Sequence, residues 1–436
     1  MNGEWIVGAA KVDITPPQPI PLAGFAHRSE VYEGVAQRLY ARIWIFAEPS
    51  VQGIAEAKAI LIQADLIWWG SDQIRPLLDK IVSRWGIKEE AVIFHASHTH
   101  GGPQTSSRFV PMLGLADSAY LAWLEGQVLS GIGEAHASME PVMVEMGKGS
   151  CPLGIHRRKR MDGRMNMAPN PEGAADPEVT VIRMTATDGR IKGIWFHYTC
   201  HPTTTGDNWV TSEYPGAAME RLERQLGGQV IATFLQGYCG DIRPALIKDG
   251  QFFRGNDEDV KRLGRQLADE VIRVLDAPMQ QLESASIQAS AEQVELAFVN
   301  YLSSEQLAKD RTADGAAAQR SELFQSDPSR NEQPAKLQLN YLQLAKELVL
   351  VGANAEMVVE YGLYLKQEIN PHILPLGYTN GMIGYVPTAE QIAEGGYEGG
   401  ESAVYFGLPG AFTPAIEGQI KTAFKSLNRL PAAAQD

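Results

Sequence analysis

Residues 58–100 read KAILIQADLIWWGSDQIRPLLDKIVSRWGIKEEAVIFHASHTH, and this stretch decides the fold class. The apolar run at 58–65 predicts a buried strand. Positions 72–85 carry apolar residues at helical spacing and run into Gly86, a residue suited to closing a helix. A second short strand is expected at 91–95. Strand, helix, strand in that order predicts an α/β fold. The second strand runs into His95-Ala96-Ser97-His98-Thr99-His100, followed by Gly101-Gly102-Pro103. Three of the chain's nine histidines thus sit at a strand's exit, where open α/β sheets place their ligands. In extended backbone residues i and i+2 face one side, so His98 and His100 can address one cleft. Neutral imidazole is a common zinc ligand.

Working outward, strands are expected at 4–14 (stopped by Pro16 and Pro17), 40–47, 141–147, 178–185, 191–198, 229–235 and 347–352. Helices are expected at 117–137, with Asp117 as cap, and at 214–226, 257–276 and 411–427. Residues 151–177, rich in Arg, Met, Pro, Asn and Gly, read as a long loop. The polar, Ala/Gln-rich stretch 300–345 reads as a helical insertion or cap. With no internal repeat and no Pro/Ser-rich linker, one domain spanning 1–436 is expected. Its core is a mixed β-sheet flanked by helices, with the metal site at strand C-terminal ends.

Composition narrows the function. The 436 residues are 44% hydrophobic and 21% charged, an ordinary globular mix that can bury a large core. A net charge of −14 argues against a general nucleic-acid binder and against adsorption to anionic membranes. Cys151, Cys200 and Cys239 are too few for a disulfide framework and form no CxxC pair. No basic segment followed by an apolar stretch opens the chain, and no apolar run reaches about 18 residues. The expectation is a soluble, cytoplasmic protein without stable membrane insertion that acts on a small molecule. A homo-oligomer is compatible with this.

Three further segments carry candidate chemistry. The apolar run 191–196 leads into His197-Tyr198-Thr199-Cys200-His201. His197 and His201 would lie roughly 13 Å apart along a strand, so His201 is the better partner for His98. The strand before Gly352 runs through Ala353-Asn354-Ala355 to Glu356, expected in the first turn of a following helix. Downstream, Tyr385 follows Asn380-Gly381-Met382-Ile383-Gly384, and Tyr397 lies twelve residues on among glycines.

The block His98-Thr99-His100-Gly101-Gly102-Pro103 resembles the HTHSGP block of the neutral/alkaline non-lysosomal ceramidase family. The later His201, Glu356, Tyr385 and Tyr397 follow in the same order. The opening "AAKVDITPP…LAGFAHR" and Gln236-Gly237-Tyr238-Cys239-Gly240-Asp241 look similar too. The resemblance covers roughly residues 5–426 and the catalytic domain alone; the family's C-terminal immunoglobulin-like domain is expected to be lacking. It implies one zinc ion per chain held by His98, His201, Glu356 and Tyr385. It implies that His100 and Tyr397 lie beside the metal, orienting a scissile carbonyl or stabilising an oxyanion. Arg157, in Gly154-Ile155-His156-Arg157-Arg158, matches a family arginine that helps bind substrate. Two positions depart from the pattern. His95 replaces a small residue, and Arg243, in Gly240-Asp241-Ile242-Arg243-Pro244, stands where the family carries a serine. A cation in place of a hydroxyl points to an anionic or more polar substrate than ceramide, with Arg243 and Asp241 lining its site.

The chemistry implied is hydrolysis of an amide. Zinc with one open position brings the pKa of a bound water to about 7, and Arg, Tyr and His donors stabilise the oxyanion. An ester or lactone is the alternative within the class. A protein that uses the metal only for binding is a second reading, motivated by Arg243. A two-metal phosphoesterase recruiting Asp65 or Asp241 is a third.

Overall fold

The computed structural model describes residues 5–49 and 55–428. The deciding stretch folds as expected. Strand Ala55–Ala64 leads through helix Ser71–Trp85 to strand Val92–Ala96, and the two strands pair in parallel. The helix buries Ile74, Leu77, Leu78 and Ile81 and closes at Gly86, whose φ of 67° is a left-handed conformation.

Nine strands among the described residues form the main sheet. Its order is Ile231–Gln236, Ile191–Tyr198, Glu178–Ala186, Glu140–Ser150, Trp5–Asp13, Tyr40–Pro49, Ala55–Ala64, Val92–Ala96, with Gln280–Leu282 added beside Glu140–Ser150. The first strand begins at Trp5; residue 4 of the expected strand lies outside the described residues. Only the outermost pair at each end is parallel. The sheet curls until its edge strands meet: the backbone N–H of Gln236 donates to His95 Nε2 at 2.8 Å. Trp44, Phe46 and Trp195 fill the inside of the curl, and Trp44 Nε1 donates to Thr233 Oγ1 at 2.9 Å. Helix Ser118–Ala137, capped by Asp117, covers strands Trp5–Asp13 and Tyr40–Pro49. Helices Glu213–Gln225 and Asp257–Leu275 pack on each other over the other half of the sheet.

A second sheet runs Gln288–Leu296, Ala335–Ala345, Leu348–Ala353, Ile373–Leu376. Its own apolar cluster includes Val294, Leu339, Val351 and Phe424, the last from helix Ile416–Leu427. Two buried imidazoles tie the sheets together. His197 Nε2 bonds the Pro375 carbonyl at 2.8 Å and His95 Nδ1 bonds the Gly377 carbonyl at 3.0 Å. His95 therefore has a structural reason to be where a small residue was expected.

Four expectations need correction. The supposed loop 151–177 contains a hairpin, Gly154–Met161 with Arg164–Asn170. Its turn is Asp162-Gly163, both at positive φ (51° and 75°), the two-residue geometry that matches strand twist. The polar stretch 300–345 is helical at Ser304–Arg311, Ala316–Ser326 and a 3-10 turn Pro328–Asn331; from Ala335 it becomes a strand. That strand's partner, Gln288–Leu296, had no place in the sequence reading. Glu356 lies in the two-residue strand Glu356–Met357, ahead of a helix that starts at Val359. The last helix starts at Ile416 rather than 411.

Candidate metal centre

The site forms where chain exits from the two sheets converge. His98 leaves strand Val92–Ala96, and His201 leaves strand Ile191–Tyr198. Glu356 and Tyr385 come from the second sheet's side and stand opposite each other in a parallel two-strand ladder, Glu356–Met357 with Tyr385–Val386. All four are buried.

Hydrogen bonds aim the imidazoles. His98 Nδ1 donates to the Ile67 carbonyl at 2.8 Å. His201 Nδ1 donates to the carbonyls of Cys239 at 2.6 Å and Ile242 at 3.0 Å. With Nδ1 committed, each ring turns its Nε2 lone pair inward. Both meet the same carboxylate oxygen, Glu356 Oε2, at 3.5 Å from His98 and 3.1 Å from His201. Tyr385 Oη lies 3.5 Å from His201 Nε2. Burial, then the charge of Arg157, pushes the His201 imidazole down to about 4, so the ring is neutral at ordinary pH. Bare nitrogen lone pairs crowded on a carboxylate oxygen repel one another unless a cation sits among them. A tetrahedral ion with bonds of about 2.0–2.2 Å sets its ligand atoms about 3.3–3.6 Å apart. Two of the three observed spacings, 3.5 Å each, fall in that range and the third, 3.1 Å, lies just below it, and the donor set of imidazole, carboxylate and phenol suits zinc.

His100 sits beside this group. Its ring centroid is 4.9 Å from that of His98 and 6.2 Å from that of His201, and neither of its ring nitrogens has a hydrogen-bond partner. His98, His100 and His201 bring one ring nitrogen each within 4.8 Å of one another. Gly24, at φ 97°, makes room: a Cβ there would lie 2.5 Å from His100 Nδ1. On the other flank Arg157 donates to Tyr385 Oη at 3.0 Å and to Glu398 at 2.7 Å. Arg158 also binds Glu398, at 2.8 Å, which fixes the turn carrying Tyr397. The Tyr397 ring lies 5.3 Å from that of Tyr385.

Two carboxylates expected near the chemistry, Asp241 at the substrate and Asp65 as an extra ligand of a two-metal site, are already engaged. Asp241 is fully buried and occupied, bonded by the Val359 N–H at 2.9 Å, Gln391 at 2.8 Å and His156 at 3.2 Å. It braces the 239–242 turn whose carbonyls orient His201, so its role is structural. Asp65 is likewise taken, by Arg42 at 2.9 Å and the Tyr40 N–H at 2.9 Å. Arg243 lies with its guanidinium 4.4 Å above the Phe252 ring. The sequence reading missed the residues that hold the histidines. Tyr378 stacks on His98 at 3.8 Å, nearly parallel, from a backbone at φ 58°. Phe25 packs 4.7 Å from the His100 ring, and Arg28 donates to the His100 carbonyl at 2.6 Å. Phe25 and Arg28 belong to the "LAGFAHR" block, quoted above without a role; nothing local to Tyr378 marks it.

Fold and site together define a mixed α/β protein built around a buried centre of metal-ligand type. The sequence model for "Neutral/alkaline non-lysosomal ceramidase, N-terminal" matches residues 5–303, and the chain belongs to that family. Neutral ceramidase of Pseudomonas aeruginosa is 22% identical over 95% of this chain and 70% of its own length. Neutral ceramidase of Mycobacterium tuberculosis is 24% identical, but over 51% of this chain and 37% of that protein. The crystal structure of the Pseudomonas aeruginosa neutral ceramidase superposes with a TM-score of 0.78 at 18% identity, covering 99% of this chain and 76% of that one. A ceramidase complexed with C2 gives the same TM-score at 17% identity. At such identities the likeness establishes the fold. Among the described residues no helix is long and apolar enough to cross a membrane.

Proposed function

We propose that this chain is a zinc-dependent hydrolase that cleaves an amide bond in a small polar or anionic substrate. One observation carries the reading. Two imidazoles with their Nδ1 atoms spent on carbonyls turn both Nε2 atoms onto one buried carboxylate oxygen, at 3.1 and 3.5 Å. His98, His201, Glu356 and Tyr385 would hold one ion per chain. Zinc held there supplies Lewis acidity toward a carbonyl oxygen and a water acidic enough to ionise near neutral pH.

The surrounding side chains do the rest. His100, with both ring nitrogens unpartnered, takes a proton from the attacking water and returns it to the leaving amine. The Tyr397 hydroxyl donates to the oxygen on which charge develops. Arg157, fixed by Glu398, keeps the Tyr385 oxygen oriented toward His201. Burial of His98, His201, Glu356, Tyr385 and Arg157 strengthens the interactions among them. The family relationship supports the amide reading, and Arg243 in the serine's place supports a substrate more polar than ceramide.

The test combines metal analysis with a panel of amides, esters and lactones. The expected result is one zinc per chain and amide turnover that is abolished by a chelator and restored by zinc. Faster turnover of esters or lactones would move the reading to that class. A zinc-loaded protein inert across the panel would end the hydrolase proposal. Two metals per chain would revive the phosphoesterase, against the observation that Asp65 and Asp241 are both occupied.

A further inference from the structure

The chain carries 52 acidic and 38 basic side chains, yet guanidinium groups gather beside the metal centre. Arg243 follows Ile242, whose carbonyl accepts from both the backbone N–H and Nδ1 of His201, each at 3.0 Å. Its guanidinium stacks on Phe252, and its Nε is buried without a hydrogen-bond partner. Arg254 follows strand Gln251–Phe252, which forms a short hairpin with Ile247–Lys248, and lies 4.2 Å over the Phe25 ring. The same ring lies 4.7 Å from that of His100, so Arg254 and the catalytic imidazole share one aromatic neighbour. Arg28 lies over Phe25 as well, at 4.8 Å, but its two terminal NH2 groups are spent on the carbonyls of Ala23, His100 and Asp207.

Among the described residues neither Arg243 nor Arg254 is within ion-pair distance of a carboxylate. That is unusual for Arg243, which is half-buried; Arg254 is exposed. Like charges held close together also weaken each other's hold on their protons. Burial, then Arg157 and Arg254, brings Arg243 down to about 10. A guanidinium stacked on a ring keeps its N–H fork free at the edge, and that fork matches a carboxylate.

We propose that Arg243 and Arg254 form an anion subsite on the His100–His201 flank, and that the substrate is an amide bearing a carboxylate close to the scissile carbonyl. This rests on the hydrolase reading above and adds the chemical class of the substrate. Arg254 and Phe25 enter the site by this argument.

Binding tests it independently of turnover. The probes are N-benzoylglycine and N-benzoylglycinamide, which differ only in carboxylate against carboxamide. Their affinities for the zinc-loaded protein are measured by calorimetry at about 0.05 and 0.5 M salt. The acid is expected to bind at least about tenfold tighter than the amide at low salt, with the gap narrowing at high salt. R254Q should shrink the gap, and R243Q with R254Q should close it. R243K keeps the charge but loses the fork, and should restore part of it. If R243Q does not fold, as judged by circular dichroism, R254Q just after the hairpin and R243K carry the same comparison. Equal binding of acid and amide, no binding of the acid, or a gap that survives the double variant overturns the proposal. Displacement of the acid by inorganic phosphate but not by acetate overturns the carboxylate assignment. A preserved acid preference without turnover of any amide would instead sink the hydrolase reading and leave the subsite standing.

Discussion

Among the described residues, two histidine-centred clusters have the donor types of a metal site, His98–His100–His201 with Glu356, and His156–Asp241–Glu360. In the first, His98 and His201 spend Nδ1 on carbonyls, and Nε2 of His98 and both nitrogens of His100 are left without partners of their own. In the second, every charge has an answer. His156 Nε2 lies 3.2 Å from Asp241 and 3.8 Å from Glu360. Burial opposes its protonation, but Asp241 and Glu360 outweigh that and lift the imidazole to about 10. Asp241 shifts the other way, to about 2: burial raises it and the His156 hydrogen bond and charge outweigh that. The lesson is that donor type and proximity do not make a metal site. What matters is whether the lone pairs are left over after the protein has satisfied itself.

The sharpest break of the comparison is removal of a ligand from each cluster. His98→Ala and His201→Ala should each lose stoichiometric zinc, with turnover falling by at least about 10³. His156→Ala should keep zinc. Elemental analysis of the three purified variants decides it, and zinc retained in both ligand variants would remove the site assignment. The next effect is on stability. His156→Ala strands the Asp241 carboxylate in the interior, and loss of one partner of a buried pair costs about 3–5 kcal/mol. Urea unfolding reads this directly. A change below about 1 kcal/mol would mean that the pair is solvated after all.

The smallest effect is a pH dependence confined to the second cluster. His156 has a folded pKa above its unfolded one, so its contribution is complete below about 6.5 and is lost as pH rises through about 10. Glu360 is raised to about 7, by burial first and then the charge of Asp241, so it too favours folding at lower pH and loses that between about 4.5 and 7. Asp241 acts oppositely: its contribution is present above about 3.9 and lost as pH falls through about 2. Stability from this cluster should therefore peak near pH 4–5 and decline toward pH 10. Melting temperatures of wild type and His156→Gln across that range should converge as pH rises. Parallel curves would show that His156 does not titrate with folding.

Legibility followed the locality of the signal. The run 58–100 and the His98–His100 motif were readable because apolar periodicity and a strand exit are local properties. The hairpin 154–170 was locally marked by Asp162-Gly163, but the polar faces of an exposed hairpin resemble a loop. The strand Ala335–Ala345 was hidden in polar composition because its partner Gln288–Leu296 lies far back in the chain. Asp241 was misplaced for a similar reason. Its motif was visible, but the partners that occupy it come from residues 156, 359 and 391. Tyr378 was missed because a ring stacked on His98 is a fact of packing.

The sequence by itself determined the α/β class, the histidines at strand exits, the acidic surface charge and the odd cation at Arg243. Each of these is set by residue identity and short-range spacing. Only the tertiary structure decided that Glu356 meets both imidazoles, that Tyr385 pairs beside it, and that Asp241 serves the scaffold. Those outcomes depend on how a curled sheet and a second sheet dock, and that docking is fixed by burial and by the hydrogen bonds of His95 and His197 across the gap.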